Sequence, residues 1–348
     1  MRMTVLASGS KGNSTVISSS STRILVDAGL SCREILKRMA LAKEDPATLD
    51  AILITHEHID HVSGLSVLAR RLRIPVFFTE PTHRAWIRML TPRTTMTYSK
   101  WLEHIQREKE ARAAAAVEKA AYDLVAEAAS IAHVAAEAEA VDSSLSQTRS
   151  IYAGADPDAD EDEPCDAAAG SADVVKKGDR TLLPAVEYFH SGTDFSIGDI
   201  AISPFTIPHD AADPCGFVFE AEGIRMALAT DLGYMPPNVK SALKRVDVLL
   251  LESNHDLEML RDGPYPWSVK QRVLSRVGHL SNDATAEFLE KDYDGGATYI
   301  VLGHLSEANN APELARIAAE QALSNRPMLL GNRVLLASQT TPLESIAV

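Results

Sequence analysis

The chain has 348 residues, 45% of them apolar and 24% charged, a balance typical of globular proteins that excludes a collagenous, fully disordered or disulfide-scaffold chain. Its 34 Lys and Arg are outnumbered by 48 Asp and Glu, so the formal net charge is −14. Taken over the whole chain, that charge argues against a nucleic-acid-binding protein, whose surface is usually basic.

The cysteines and the hydropathy of the chain indicate a cytoplasmic location. The three cysteines, at positions 32, 165 and 215, are far apart and form no Cys-x-x-Cys pair, which fits a reducing compartment better than a disulfide framework. The first apolar run is too short for a secretory signal, and no apolar run reaches membrane-spanning length. We therefore expect a cytoplasmic protein with no membrane-bound part.

In the first part of the chain, short apolar runs alternate with helical patterns. Runs bounded by turn residues predict β-strands over residues 3–7, 23–26, 51–54 and 75–78. Apolar residues at helical spacing predict helices over residues 32–40, 64–72 and 81–90. Pro81 suits the first turn of the third of these helices.

The composition changes near residue 99. Residues 99–187 hold 19 acidic and 9 basic residues, whereas the rest of the chain holds 29 and 25, so most of the excess negative charge lies in this segment. Residues 111–140 contain 15 alanines, which predicts an exposed helix or helix pair, and the acidic run 156–164 predicts a disordered linker. We interpret residues 99–187 as an insertion, able to bind a protein partner, in one domain made of residues 1–98 and 188–348. The oligomeric state is left open.

Strand patterns resume after the insertion. The predicted strands cover residues 195–206, 216–221, 224–229, 246–251, 298–302 and 328–336. The predicted helices cover residues 237–245, 267–277, 281–291 and 311–325. Strand-rich stretches with helices between them favour a layered α/β fold.

The strongest chemical signal is the heptapeptide Thr55-His56-Glu57-His58-Ile59-Asp60-His61, directly after a predicted strand. A loop at a strand end can direct several side chains at one point. Imidazoles suit zinc and similar divalent ions, and a carboxylate can complete a second site. The alternative is a charged turn with incidental histidines. It is disfavoured because the whole chain has only 11 histidines.

This His-x-His-x-Asp-His pattern resembles the signature of the metallo-β-lactamase superfamily. Further segments resemble the other landmarks of that family, in the same order: residues 25–29, 207–209, 229–233 and 302–306. The resemblance implies an α/β protein with the four-layer αβ/βα metallo-β-lactamase sandwich and a one- or two-metal site at the sheet edge. The Ala-rich, acidic insertion, helical or partly disordered, would be added to that sandwich.

The resemblance also implies seven metal ligands and two divalent ions, Zn²⁺ or Mn²⁺. One ion would bind His56, His58 and His209, the other would bind Asp60, His61 and His304, and Asp231 with a hydroxide would bridge them. Asp27 would organise the metal loop through hydrogen bonds. Two such ions can activate water and stabilise both oxygens of a displacement at phosphorus, so Asp60 and Asp231 are expected to be catalytic as well as ligating.

Several short segments are similar to the YycJ/WalJ type within that superfamily, near ribonuclease Z and the phosphonate-pathway cyclic phosphodiesterase. They are residues 7–14, 208–214, 252–256, 263–267, 278–282 and 304–306 with 309–310. The similarity covers residues 3–98 and 188–340 and implies a metal-dependent nuclease, a DNA exonuclease rather than an enzyme acting on RNA.

Beside the ligands we predict a catalytic histidine and a substrate-binding group. His279 precedes a predicted helix start and would assist the leaving oxygen, although it could instead be a capping or buried histidine. The predicted substrate-binding residues are Ser10, Asn13, His255, Lys270 and Asn309. The glycine-rich loop around Ser10 and Asn13 could bind an anion or be a plain turn. Trp267 could stack on a base or pack in the core.

Two alternatives to a nuclease remain open. The first is a small-molecule metallohydrolase acting on a cyclic phosphodiester or, less favoured, on a thioester or lactam. The second is a binding protein that has kept the fold without catalysis, which seven intact ligand positions disfavour. The net charge does not exclude DNA, because outside residues 99–187 it is close to −4 and two divalent ions would offset that locally.

Overall fold

The computed structural model describes residues 1–91, 181–326 and 331–348. Most of the predicted insertion, residues 99–180, therefore lies outside the described residues. The described part is built on two mixed β-sheets of seven strands each. No helix in these three ranges is long and apolar enough to cross a bilayer.

The first sheet is formed by the N-terminal strands and closed at its edges by two strands from farther along the chain. Its members are β1 (Arg2–Ala7), β2 (Ser14–Ser18), β3 (Arg23–Val26), β4 (Ala51–Leu53), β5 (Val76–Phe78), β6 (Val186–Tyr188) and β14 (Ile346–Ala347). The spatial order is β14-β1-β2-β3-β4-β5-β6. Strands β1, β2 and β3 pair antiparallel, whereas β3, β4, β5 and β6 pair parallel.

The second sheet repeats this arrangement with later strands. Its members are β7 (Phe195–Ile197), β8 (Ile200–Thr206), β9 (Cys215–Ala221), β10 (Ile224–Ala229), β11 (Val248–Glu252), β12 (Tyr299–Gly303) and β13 (Arg333–Leu336). Their spatial order is β13-β12-β11-β10-β9-β8-β7. Strands β7 to β10 pair antiparallel, and β10 to β13 pair parallel.

Helices cover the outer face of each sheet. Those associated with the first sheet are α1 (Cys32–Leu41), α2 (Ile59–Val62), α3 (Leu65–Leu72) and α4 (Glu80–Leu90). Those associated with the second are α5 (Pro237–Ala242), α6 (Leu257–Asp262), α7 (Trp267–Val273), α8 (Asn282–Lys291) and α9 (Pro312–Ser324). A short 3₁₀ helix spans Pro46–Thr48.

Three apolar clusters hold the layers together. One lies between the sheets and joins side chains such as Val5 and Leu53 to Phe217 and Leu250. The other two join each sheet to its own helices. Because both faces of the central strands are covered, β11 is buried throughout rather than alternating. The order helix, sheet, sheet, helix confirms the predicted four-layer sandwich.

The structure corrects several predicted elements. Strand β2 was not predicted, because its flanking Gly, Asn and Ser residues are typical of a loop; pairing with β1 and β3 makes it a strand. The predicted strand 195–206 is a hairpin, with Gly198 at φ +57° in the turn. The short helices α2 and α6 were also missed. Strand β6 crosses the predicted end of the insertion at residue 187.

Candidate metal centre

The polar residues of the site follow the carboxyl ends of strands. These strand ends, from both sheets, lie together at one edge of the sandwich. Asp27 follows β3, Asp231 follows β10 shortly after its end, and His304 follows β12. All three have left-handed backbones, with φ of 61°, 63° and 55°. Such a backbone costs a non-glycine residue about 1 kcal/mol or more. Three such residues therefore lie together at this edge.

The first cluster consists of three imidazoles. Ligand atoms of His56, His58 and His209 lie within 4.8 Å of one another, and His58 Nδ1 is 3.2 Å from His209 Nε2. Burial and the neighbouring histidine His61 lower the pKa of His56, and burial lowers that of His209. Both are therefore neutral at physiological pH, which is the form of histidine that binds metal ions.

The second cluster alternates two histidines with two carboxylates. His61 Nε2 lies 3.5 Å from Asp60 Oδ2 and 3.3 Å from Asp231 Oδ2. His304 Nε2 lies 3.5 Å from Asp60 Oδ2 and 3.3 Å from Asp231 Oδ1. Burial works to lower the pKa of both histidines, but the carboxylates, Asp231 first, outweigh it and raise the pKa. The same carboxylates would attract a bound cation between the two rings.

Asp27 stabilises the candidate metal-binding loop, residues 55–61, through hydrogen bonds. Its carboxylate accepts from the backbone N–H of Thr55 at 2.9 Å and from the hydroxyl of the same residue at 2.9 Å. It also lies 2.8 Å from His61 Nδ1. A carboxylate on the far nitrogen of a ligating histidine fixes the tautomer and the orientation of the ring. The structure thus places Asp27 where it would act as predicted.

Close packing against the Asp60 loop explains why position 29 is a glycine. A Cβ atom at this position would lie 1.7 Å from the carbonyl oxygen of Asp60. Only a residue without a side chain lets the Asp60 loop approach so closely. The loop after β3 and the loop that carries Asp60 are therefore in direct contact.

Glu252 is a site residue that the sequence analysis did not assign. It is fully buried at the end of β11. Oε1 lies 2.8 Å from Nδ1 of His279 and 2.8 Å from Nδ1 of His304, and Oε2 accepts from the N–H groups of Leu232 and Leu280. Burial acts to raise its pKa, but His279 and the hydrogen bonds lower it to about 2. The available signal was an acidic residue ending an apolar strand.

His279 lies beside both clusters. Its ring centroid is 5.2 Å from that of His209 and 5.1 Å from that of His304, and its Nδ1 is 3.8 Å from Asp231 Oδ1. Its side chain is 20% exposed, so it can meet a molecule arriving from solvent. Its catalytic role stays a prediction.

The structure places the predicted substrate-binding residues in different surroundings. Asn13 is brought into the site, with Nδ2 3.3 Å from Asp60 Oδ2 and 3.0 Å from His61 Nε2, and Ser10 is exposed in the same loop. Lys270 is buried and donates to the carbonyl of Arg261 at 2.6 Å. Asn309 is buried, and its amide donates to the hydroxyl of Ser306. These assignments stay predictions.

His255 is buried, at 1% exposure, and neither ring nitrogen makes a hydrogen bond within the described ranges. Burial lowers its pKa to about 4. It is therefore a neutral imidazole. Its predicted substrate contact also stays a prediction.

The donor set fits divalent metal ions. Among the described residues, His56 Nε2, His304 Nε2 and Asp231 Oδ2 are buried without a hydrogen bond. Unsatisfied buried polar atoms are costly unless a ligand satisfies them. Converging imidazole and carboxylate groups are ligands for zinc and similar ions, so a metal ion would satisfy these atoms.

Comparisons with known proteins agree with this geometry. The sequence matches the Metallo-beta-lactamase superfamily over residues 7–304, a range that contains every candidate ligand. The exodeoxyribonuclease WalJ of Streptococcus pneumoniae is 30% identical over 330 residues, which cover 95% of this chain and 91% of that protein.

Two solved structures show the same fold. The metallo-beta-lactamase fold protein YhfI of Bacillus subtilis has a TM-score of 0.55 and 13% identity, covering 99% of both chains. The short form of human tRNase Z has a TM-score of 0.51 and 13% identity, covering both chains completely. The four-layer fold, the converging ligand set and the sequence match lead to one conclusion: the chain belongs to the metallo-β-lactamase superfamily and is a metal-dependent hydrolase.

Proposed function

We propose that this hydrolase is a DNA exonuclease that cleaves phosphodiester bonds at a centre of two divalent ions. The observation that carries the proposal is the convergence of two ligand clusters on one sheet edge, with Asp231 and Asp60 both facing His61 and His304. The similarity to the exodeoxyribonuclease WalJ along nearly the whole chain supports DNA as the substrate.

The two clusters would divide the ligands between the ions. His56, His58 and His209 would hold one ion, Asp60, His61 and His304 the other, and Asp231 would contact both. When bound, two divalent ions supply an activated water at neutral pH and neutralise the charge that develops on the reacting phosphate. Asp27 would keep His61 oriented throughout, because its carboxylate bonds the opposite ring nitrogen.

His279 would donate a proton to the leaving oxygen. Glu252 bonds Nδ1 of His279 at 2.8 Å, which keeps the proton on that nitrogen and directs Nε2 outward. With Nδ1–H held by this carboxylate, Nε2 would take up a proton from solvent, and the imidazolium so formed would release that proton from Nε2 to the departing oxygen of the cleaved strand. Glu252 holds His304 in the same way, so one carboxylate would link a ligand and a proton donor.

The test is a nuclease assay combined with metal analysis of the same preparations. The full chain, loaded with Zn²⁺ or Mn²⁺, is offered DNA and RNA oligonucleotides labelled at either end. Wild type is expected to shorten DNA stepwise from one end. Asp60→Asn should lose at least 100-fold in rate and carry less metal, with unchanged circular dichroism. Asp262→Asn, an exposed aspartate paired with Arg261, is the matched control and should keep both.

The same assay separates the alternatives. Intact DNA combined with hydrolysis of a cyclic phosphodiester, a lactoylglutathione-type thioester or nitrocefin would overturn the nuclease proposal and assign a small-molecule hydrolase. Metal binding without hydrolysis of any of these substrates would assign a binding protein. Faster cleavage of RNA than of DNA would overturn the choice of DNA.

A further inference from the structure

The segment from residue 267 to residue 278, here called the rim segment, contains α7 and the turn that follows it. It contacts the loops of the metal centre at three points. Arg272 Nε donates to Asp210 Oδ2 at 2.5 Å, and the carbonyl of Gly278 lies 3.2 Å from Nδ1 of His209. Gly233 packs so closely on the rim segment that a Cβ there would lie 2.4 Å from the carbonyl carbon of Arg276.

These contacts place the rim segment at the mouth of the site. Asp210, which binds Arg272, has its other oxygen 3.5 Å from Nε2 of His209 and 4.0 Å from Nε2 of His58. The guanidinium of Arg272 is therefore one side chain away from two candidate metal ligands. The segment then leads directly into His279.

The outward side of the rim segment is unusually apolar for a surface. Trp267 is 66% exposed and Leu274 52% exposed, and Val269 and Val277 are also exposed. An exposed aromatic side chain is a platform on which a nucleic-acid base can stack.

Charge on the rim segment complements a polyanion. Residues 263–282 hold three basic residues and no acidic residue. Lys270 is turned inward onto Arg261, whereas Arg272 and Arg276 are exposed. Asp210 takes one N–H of the Arg272 guanidinium, and four further N–H groups belong to that side chain. Arg276 lies over the ring of Tyr234, 4.3 Å from its centroid, which fixes its position.

We propose that the rim segment is the surface on which single-stranded DNA lies as its end enters the metal centre. Trp267 stacks on a base, and Arg272 and Arg276 contact backbone phosphates. This inference rests on the proposed nuclease function and assigns phosphate contact to Arg272 rather than to Lys270. Single-stranded DNA fits because a stacking platform flanked by arginines is how such strands are bound without sequence preference.

The test measures DNA affinity separately from cleavage. A fluorescein-labelled (dT)₂₀ strand is titrated with the full chain carrying Asp60→Asn, and fluorescence anisotropy is read at several salt concentrations. Adding Trp267→Ala should weaken binding about tenfold. Adding Arg272→Gln and Arg276→Gln together should weaken binding and make the slope of log K against log salt shallower by about 1.4, since each phosphate contact on a single strand contributes about 0.7.

The matched control combines Leu41→Ala with Lys43→Gln. Leu41 is 65% exposed, Lys43 is exposed, and both line a surface groove with Arg2, at the opposite end of β1 from the metal centre. This control should bind (dT)₂₀ within twofold of the parent. The rim and control variants are compared by melting temperature, so that a folding defect is recognised.

The outcomes distinguish this inference from the proposed function. Rim variants that bind as tightly as the control, or a parent that does not bind (dT)₂₀, overturn the inference even if DNA is cleaved. Weakened binding in the rim variants together with no cleavage by wild type supports the rim segment and overturns the nuclease. A change in the oligomeric mass of the rim variants in solution, with unchanged DNA affinity, overturns the inference and indicates that protein covers this surface.

Discussion

At the scale of single residues, Glu252 connects the proposed proton donor, His279, to a candidate metal ligand, His304. One of its oxygens bonds Nδ1 of both His279 and His304, and the other accepts two backbone N–H groups. All of its hydrogen-bonding capacity is therefore used, at full burial. A carboxylate held this firmly fixes the orientation of both rings.

Replacing that carboxylate gives the first prediction. Glu252→Gln keeps the shape but removes the charge that orients two imidazoles, and loss of such a partner typically costs 10–100-fold in activity or metal affinity. We expect kcat on DNA to fall within that range and the pH profile of kcat to shift. Glu258→Gln, at an exposed glutamate on α6, should change neither. Unchanged kcat in Glu252→Gln would contradict the positioning role.

Protonation of His61 and His304 gives the second prediction. Asp231, the other carboxylates and the hydrogen bonds raise the pKa of both rings above the usual value of 6.5, against the effect of burial. A raised pKa of a folded-state histidine contributes stability that is complete below pH 6.5 and is lost as pH rises through the raised value. Metal-free protein should therefore unfold at lower temperature as pH increases from 6.5.

Metal-loaded protein should not show this alkaline loss, because the ions replace the protons as counter-charges of Asp60 and Asp231. The measurement is the melting temperature of chelator-treated and metal-loaded samples between pH 6 and pH 10. Equal slopes in the two samples would show that the carboxylates are not balanced in this way.

At the scale of elements, the start of α8 determines where His279 lies. Ser281 is the N-cap, and its hydroxyl accepts from the N–H of Ala284 at 3.1 Å. A bridge between His255 and Ser281 ties this helix start to the segment after β11. The cap, the bridge and Glu252 together fix the short loop that carries His279 beside the candidate metal ligands.

Removing this cap gives the third prediction. Ser281→Ala should lower the free energy of unfolding by about 1 kcal/mol and also lower kcat, because His279 is two residues away. Ser31→Ala removes the corresponding cap of α1, where the hydroxyl accepts from Glu34 N–H, and should cost similar stability with unchanged kcat. Denaturant unfolding and DNA cleavage measure both quantities. Equal kcat values in the two variants would contradict the link.

At the scale of the whole molecule, negative charge is concentrated in two places. Asp27, Asp60, Asp231 and Glu252 lie together at one edge of the sandwich, and three of them are almost fully buried. Divalent ions would offset this local charge, whereas most of the net value of −14 comes from residues 99–187. The exposed arginines of the rim segment add positive charge beside the same edge.

Metal removal gives the fourth prediction. Ions that bind only the folded chain stabilise it by about 2.7 kcal/mol for each site at a free concentration 100 times Kd. Chelation should therefore lower the melting temperature by several degrees, and Zn²⁺ or Mn²⁺ should restore it with two ions bound per chain. His58→Ala should bind one ion fewer. A melting temperature insensitive to both chelator and metal would contradict a metal centre in these clusters.

The sequence by itself determined the order of the motifs and the fold class. Each candidate ligand follows a strand in a short local segment, so its type and position can be recognised without knowing its neighbours. Strands Arg23–Val26 and Ile224–Ala229 occur at the predicted bounds because apolar runs and turn residues are local signals. The seven predicted ligand positions then converge because the strands that precede them end at one edge of the sandwich.

Only the tertiary structure decided how the side chains are paired. Glu252 reaches His304 across 52 residues and His209 meets His58 across 151, and no local pattern encodes such contacts. Strand β2 exists because two neighbours pair with it, and Lys270 turns inward because Arg261 offers a carbonyl. Side-chain direction and strand pairing depend on packing between distant segments, which a linear pattern does not contain.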